Sequence, residues 1–201
     1  QASSLQEGIR YLTNRVKFVI ASPNESFIHL FIEQVFTRTV WQVGPLYLHP
    51  SYADRQFIEP ELGEAVKYLC LAPLVPSFMS MYDQEAGKKF VDPEESNFSN
   101  QLYECMFYRI DHSGSNILEK TDNYAQFQLV PEYEYLDKLR RQGKLFARNH
   151  VVNFLDRQYE VRGYIFPFTL YAQPLIQSYV YDYGLGAFTQ QGHGMVELHT
   201  T

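Results

Sequence analysis

Cysteine and tryptophan are scarce: the 201 residues hold two thiols, Cys70 and Cys105, and a single Trp. Two isolated thiols build neither a disulfide framework nor a zinc site. Both are therefore expected as free, buried thiols of a reducing cytoplasm. No apolar run approaches the ~20 residues that span a bilayer, so no membrane partner is expected. The opening "QASSLQEGIR" lacks a signal-peptide pattern, and it starts without Met, as a trimmed product or fragment would. Histidines and cysteines never fall at zinc spacing. Neither a G-x-S-x-G elbow nor a phosphate-binding P-loop is present. The acids are scattered, with no pair that signals glycosidase chemistry. No metal and no cofactor are expected.

Aromatic residues, by contrast, make up 16% of the chain, and the hydrophobic fraction of 45% suffices for a sizeable core. The net charge of −6 argues, taken whole, against a nucleic-acid partner. Its distribution argues the other way. Residues 138–162 carry Lys138, Arg140, Arg141, Lys144, Arg148, Arg157 and Arg162 against Asp156 and Glu160. That is a local +5 on a body of −11, either an electrostatic footprint or a solvated basic hairpin.

Residues 16–21, "VKFVIA", read as a strand. A helix follows, capped by Ser22, opened by Pro23 and supported by Glu25, with Phe27, Phe31 and Val35 on a face to be buried. Residues 43–49 read as a returning strand. Prolines at 50 and 60 mark a junction, which divides the chain into domains 1–61 and 62–201. The second domain reads as a strand over 65–75, a loop over 80–90 and a helix over 92–110. That helix has Asp92 as cap, Pro93 as first residue, and Phe98, Leu102, Cys105 and Met106 inward. A polar connection over 111–123 and a strand over 124–130 follow. Two long strands, 144–156 and 158–172, turn at Asp156–Gln158. A helix runs from Pro174 to Gly184, and the last strand is "MVELHT". The order is that of a ferredoxin-like domain. The strand–helix–strand before the junction matches the second half of the same fold. The expected class is α+β: tandem ferredoxin-like (RRM-like) domains, the first incomplete. An incomplete sheet exposes an unpaired edge, so self-association as a homodimer, upstream residues or a covering partner is expected.

Four of the eleven glycines fall in residues 181–198, "YDYGLGAFTQQGHGMVEL". Gly184 can end the preceding helix. For Gly186, Gly192 and Gly194 two readings stand. They serve a tight connection through their dihedral freedom, or they clear space for backbone N–H groups to meet an anion such as phosphate.

The spacing Gly184-Leu185-Gly186, five residues, Gly192-His193-Gly194 and then Met195-Val196-Glu197-Leu198 resembles the CRISPR repeat-processing endoribonucleases of the repeat-associated (RAMP) superfamily. "ASPNESFIHLF", "YLCLAPLV" (Ala72 for the usual Ser), "KKFVDPEESNFSNQL" and "VRGYIFPFTLYAQPLIQSYVYDYGLG" are similar to that family in the same order. The resemblance covers about Leu12 to Leu198. It departs from the family in lacking a basic residue in the loop, in His193 where Phe or Tyr is usual, and in having no counterpart of the first half of the N-terminal domain. That half usually supplies the catalytic His.

The resemblance implies metal-independent RNA cleavage. The 2′-OH attacks the adjacent phosphate, leaving a 2′,3′-cyclic phosphate and a 5′-OH, and the product RNA is retained. Such chemistry needs a base, an acid and positive charge on the phosphorane. Of the histidines at 29, 49, 112, 150, 193 and 199, His193 is the one candidate for catalysis. The catalytic residues are otherwise unassigned. Expected RNA contacts are Lys144, Arg148, His150, Arg157, Arg162, Gly184, Gly186, Gln190, Gln191, Gly192, His193 and Gly194. The expected partners are CRISPR repeat RNA and other CRISPR effector subunits. The alternatives are a non-catalytic RNA-binding subunit of an effector complex and a ferredoxin-like small-molecule regulatory domain.

Overall fold

The computed structural model describes residues 2–5, 8–11, 13–22, 24–55, 60–78, 90–112 and 126–199. The chain forms two compact units, Gln1–Ala53 and Asp54–Thr201.

In the first unit β1 (Ala2–Leu5) pairs with β2 (Gly8–Tyr11), α1 covers Glu25–Thr37, and β3 (Trp41–Val43) pairs with β4 (Leu46–Leu48). Three expectations change here. Residues 16–21 are not a strand; β-branched composition favours extended backbone, but a strand exists only where a neighbour takes its hydrogen bonds. The expected strand over 43–49 is instead the second arm of a hairpin that turns at Gly44, whose φ of 57° suits glycine. The cap of α1 is Asn24, whose Oδ1 accepts the Phe27 N–H at 3.0 Å, while Ser22 Oγ accepts the Asn24 N–H at 3.2 Å. No residue of α1 is buried, and Phe27 is 48% exposed. The four-residue spacing predicted a buried face; instead Phe27 and Phe31 are exposed, and only Ile28, Ile32 and Val35 are half-buried.

The second unit runs β5 (Ala65–Cys70), α2 (Ser96–His112), β6 (Phe127–Pro131), α3 (Tyr133–Arg141), β7 (Ala147–Phe154), β8 (Arg157–Tyr164), β9 (Pro167–Ala172), α4 (Pro174–Tyr183) and β10 (Val196–Leu198). Its main sheet has the order β10-β5-β9-β6, antiparallel throughout. With α2 and α4 as the two crossovers, this is a ferredoxin-like β-α-β-β-α-β unit whose sheet reads fourth, first, third, second. Helix α3 and the separate hairpin β7–β8 are inserted between the unit's second and third strands. The core contains Tyr68, Phe98, Leu102, Met106, Ile110, Phe166, Phe168, Leu170 and Val180. Gln177 is fully buried in it, its amide donating to the Leu170 carbonyl at 2.7 Å and its oxygen accepting the Tyr68 hydroxyl at 3.1 Å.

Asp92 and Glu95 form a reciprocal box. The Asp92 N–H donates to Glu95 Oε1 at 3.0 Å, and Asp92 Oδ1 accepts the Glu94 N–H at 3.1 Å. They make a turn ahead of α2, which itself begins at Ser96. Phe98, Leu102, Cys105 and Met106 face inward as expected. The expected strand over 65–75 stops at Cys70, where the Leu71 and Ala72 amides both turn to the Met195 carbonyl, at 2.8 and 3.2 Å. Helix α3 was not foreseen. Leu136 alone is buried on it, too little apolar periodicity to read. Its better signals were Glu134 in the first turn, Lys138, Arg140 and Arg141 in the last, and Gly143 just beyond, at φ 64°.

The expected strand over 158–172 is two strands. It leaves the hairpin after Tyr164 and enters the main sheet at Pro167, a first position that needs no ladder donor. The hairpin turns at Leu155–Asp156, with φ of 46° and 60°. Positive values at both central residues are the twist-matched two-residue turn. The loop over 80–90 and the connection over 111–123 lie almost wholly outside the described residues, as do residues 124 and 125 of the expected strand.

Candidate nucleic-acid interface

The register of β7 with β8 sorts the expected RNA contacts by face. Arg148 lies opposite Gly163, His150 opposite Val161, Val152 opposite Tyr159, and Phe154 opposite Arg157. These pairs share one face. Asn149, opposite Arg162, and Val151, opposite Glu160, lie on the other. Arg148 and Arg157 therefore share a face, whereas Arg162 occupies the opposite one, its guanidinium 5.5 Å from the Phe90 ring. Lys144 precedes the hairpin and is exposed. Among the described residues neither Arg148 nor Arg157 forms an ion pair. The basic run is thus split in two: Lys138, Arg140 and Arg141 belong to α3. Arg140 there pairs with Glu94 and lies 3.5 Å from Asp137 and 3.8 Å from Asp92.

The apolar part of the Arg148/Arg157 face is buried. Val152 and Val161 pack with Val75, Cys105, Ala187 and Phe188 into a second small core, edged by Phe78, Phe154 and Tyr159. Ala187 and Phe188 belong to the glycine segment, so this core seats the segment on the hairpin. Gln191 adds a polar clasp to Asn153: its Oε1 accepts the Asn153 N–H at 3.2 Å, and its amide donates to the Asn153 carbonyl at 2.7 Å. Gln190 is exposed.

The glycine amides were expected to reach toward phosphate. Those of Gly184, Gly192 and Gly194 instead donate within the protein, to the carbonyls of Val180, Thr189 and Pro73 at 2.9, 3.1 and 2.9 Å. Gly184, Gly186, Gly192 and Gly194 all have φ between 68° and 84°. A Cβ on Gly194 would overlap the Leu185 carbonyl, and one on Gly186 would overlap that of Val75. A Cβ on Gly192 would meet nothing within 4 Å. Gly184, Gly186 and Gly194 thus allow close backbone approach within the fold. Gly184 ends α4, as expected.

Arg109 of α2, which the sequence did not single out, holds the segment from behind. Its Nη1 donates to the carbonyls of Gly184 and Gly186 at 3.0 and 3.1 Å, and its Nη2 to that of Tyr183 at 2.9 Å. The guanidinium fork thereby satisfies the end of α4 and the first glycine pair together. A basic residue in the last turn of α2 was the only trace of this in the sequence.

His150 and His193, from different elements, come together: their rings lie edge to face with centroids 5.5 Å apart. His150 Nε2 and His193 Nδ1 are buried without a hydrogen-bond partner. Burial, followed by the neighbouring His150, holds the His193 imidazole below its ordinary range. Burial pushes the Cys105 thiol up to about 12 and the Cys70 thiol up to about 11, so neither is a nucleophile near neutrality. A groove of about 790 Å³ lies beside β6 and the start of α2, lined by residues such as Glu94, Asn100, Gln128 and Tyr171 and by none from the hairpin or the glycine segment. Among the described residues no group of three or more His, Cys, Asp or Glu could hold a metal ion, and no helix is long and apolar enough to cross a membrane.

Residues 58–198 match the family model described as "CRISPR associated protein Cas6, C-terminal". No curated protein matches the chain. Among solved structures, one reported as "An RAMP protein binding different RNA substrates" is 22% identical, with a TM-score of 0.69, over 100% of this chain and 75% of that one. One reported under "Characterization of a Cas6-related gene from Pyrococcus furiosus" is 19% identical, with a TM-score of 0.70, over 99% and 74% of the two chains. A third, "CRISPR associated protein Cas6", is 19% identical, with a TM-score of 0.60, over 90% and 66%. At these identities the structural likeness concerns the fold.

Proposed function

The chain belongs to the CRISPR associated protein Cas6, C-terminal family, and from that membership we propose that it processes CRISPR repeat RNA and holds it along the seam between the hairpin and the glycine segment. The observation that supports this placement is the position of Arg148 and Arg157 on the hairpin face that the segment half covers. The covered middle of that face fixes the geometry, while the two arginines flank it in solvent. They are about 20 Å apart along the strands at 3.3 Å per residue, a reach of several nucleotides. Lys144, exposed just ahead of β7, is taken as a third contact. Guanidinium forks suit phosphate oxygens, and a repeat stem-loop is read mainly by shape and 2′-OH contacts.

The reaction in this reading is attack of a ribose 2′-OH on the adjacent phosphate. The O2′–P bond forms, the P–O5′ bond breaks, and the products are a 2′,3′-cyclic phosphate and a 5′-OH. One proton leaves O2′ and another is delivered to O5′. Arg148, Arg157 and Lys144 position the strand for this step. Incubation with CRISPR repeat RNA in the presence of EDTA, with end-group analysis of the fragments, tests the proposal. A cyclic-phosphate product is expected; failure to bind repeat RNA overturns the reading.

A second reading, RNA holding without cleavage, is favoured by the packing of His193. Its Nδ1 is buried and its ring rests against His150 and Phe188, with centroids 5.5 and 6.3 Å away. Tight binding with fully intact RNA would select it.

A further inference from the structure

We propose that His150 and His193 form a single-proton phosphate site at the hairpin–segment seam, so that RNA binding takes up a proton. This rests on the RNA-holding reading and adds to it a defined pair and a dependence on pH. The two rings meet at 87°, one edge against the other's face. Each turns one nitrogen into the seam, His150 Nε2 and His193 Nδ1, and neither finds a partner there. Both rings are half-buried, and in the proposed site their other nitrogens, His150 Nδ1 and His193 Nε2, meet a phosphate oxygen.

A buried ring nitrogen with no acceptor or donor is normally a cost. Edge-to-face packing changes what that nitrogen can carry, because an N–H or a cation can sit against the neighbouring π face. One proton on the pair is accommodated in this way. A second would place two imidazolium rings side by side, and like charges repel. The pair therefore holds no more than one positive charge.

The surroundings favour an anion over a cation. Arg148 and Arg157, with Tyr159, share the hairpin face. The glycine segment from Gly184 to Met195 and residues 73–78 bring no charged side chain. Helix α2 brings Cys105 and Arg109, the latter bound to the carbonyls of Tyr183, Gly184 and Gly186. Two imidazoles are also only half of a tetrahedral zinc set. In the free protein, burial and His150 disfavour the proton on His193. A phosphodiester at the outer nitrogens favours it, and this difference is the linkage.

The test is a fluorescence-polarisation titration of the full chain with a labelled stem-loop RNA, at constant ionic strength, across the histidine range. Wild type, H150Q, H193Q, the double variant and R148A are compared. Wild-type affinity is expected to fall with rising pH, by up to about tenfold per pH unit above the pair's titration. The double variant should bind with a flat profile, while R148A binds more weakly but keeps the wild-type slope. Wild-type binding with no pH slope, or a slope retained by the double variant, overturns this site and leaves RNA holding intact. Absence of RNA binding by the wild type overturns both.

Discussion

The Gln191 carboxamide and the Asn153 backbone exchange two hydrogen bonds, N–H to Oε1 at 3.2 Å and Nε2 to carbonyl at 2.7 Å. A side chain thus plays the part of a third strand on the free edge of β7. Both polar groups of Gln191 are committed, so its contribution is to dock the segment. Gln191→Ala should cost about 1 kcal/mol in urea unfolding and speed amide exchange at Asn153. Gln191→Glu should cost more, because a carboxylate would face the Asn153 carbonyl. Gln190→Ala, at an exposed position, should be neutral in the same assay.

The glycines should not respond alike to alanine. At Gly192 only the left-handed backbone matters, and alanine should cost about 1–2 kcal/mol. At Gly194 and Gly186 the new methyl would collide with a carbonyl oxygen of the protein's own backbone. Losses above about 3 kcal/mol are expected there, because backbone must move. Equal losses at Gly192 and Gly194 in thermal unfolding would refute the close-approach account.

Arg109→Ala strands three carbonyls and should destabilise by about 2–3 kcal/mol. Arg109→Lys keeps the charge but not the fork, so it should recover less than half of that. Denaturant titration of the three proteins gives the comparison.

Arg148→Ala and Arg157→Ala should each weaken binding of repeat RNA several-fold and lower the salt slope by roughly 0.7–0.9 per lost phosphate contact. Arg140→Ala should leave both unchanged, since Arg140 is engaged by Glu94, Asp92 and Asp137. A loss of RNA affinity in the Arg140 variant would place the RNA on α3 instead.

Acid should loosen the seam before it unfolds the rest. The His193 imidazole is held below its ordinary value in the folded chain, so the unfolded chain binds its proton first. Stability is complete above the unfolded value of about 6.5 and is lost as pH falls through it toward the folded value. His193→Gln should flatten the fall in melting temperature between neutral and mildly acidic pH. An unchanged profile would show that this ring does not carry the dependence.

Local chemistry was legible in the residues themselves. Pro174 and Gly184 bounded α4, Asp92 and Glu95 announced the start of the α2 region, and Phe98, Leu102, Cys105 and Met106 marked its inner face. The alternation of the second unit pointed to a ferredoxin-like order. Less was legible where an outcome depends on a neighbour. Among the described residues "VKFVIA" has strand composition but pairs with no strand, and Phe27 and Phe31 of α1 are exposed. Helix α3 escaped notice because a single buried Leu136 anchors it.

The sequence alone determined the β-α-β-β-α-β order of the second unit, the ends of α4 and the family resemblance of the glycine spacing, because propensity, capping and dihedral freedom act within a few residues. Tertiary structure alone decided which neighbours the glycines and basic residues meet. The Gly194 amide meets the carbonyl of distant Pro73, whereas those of Gly184 and Gly192 close local turns onto Val180 and Thr189. Arg140 and Arg148, eight positions apart, part company because one faces the carboxylates of another segment and the other faces solvent. His150 and His193 become neighbours only when the hairpin folds onto the segment, a contact across forty-odd residues that no local rule encodes.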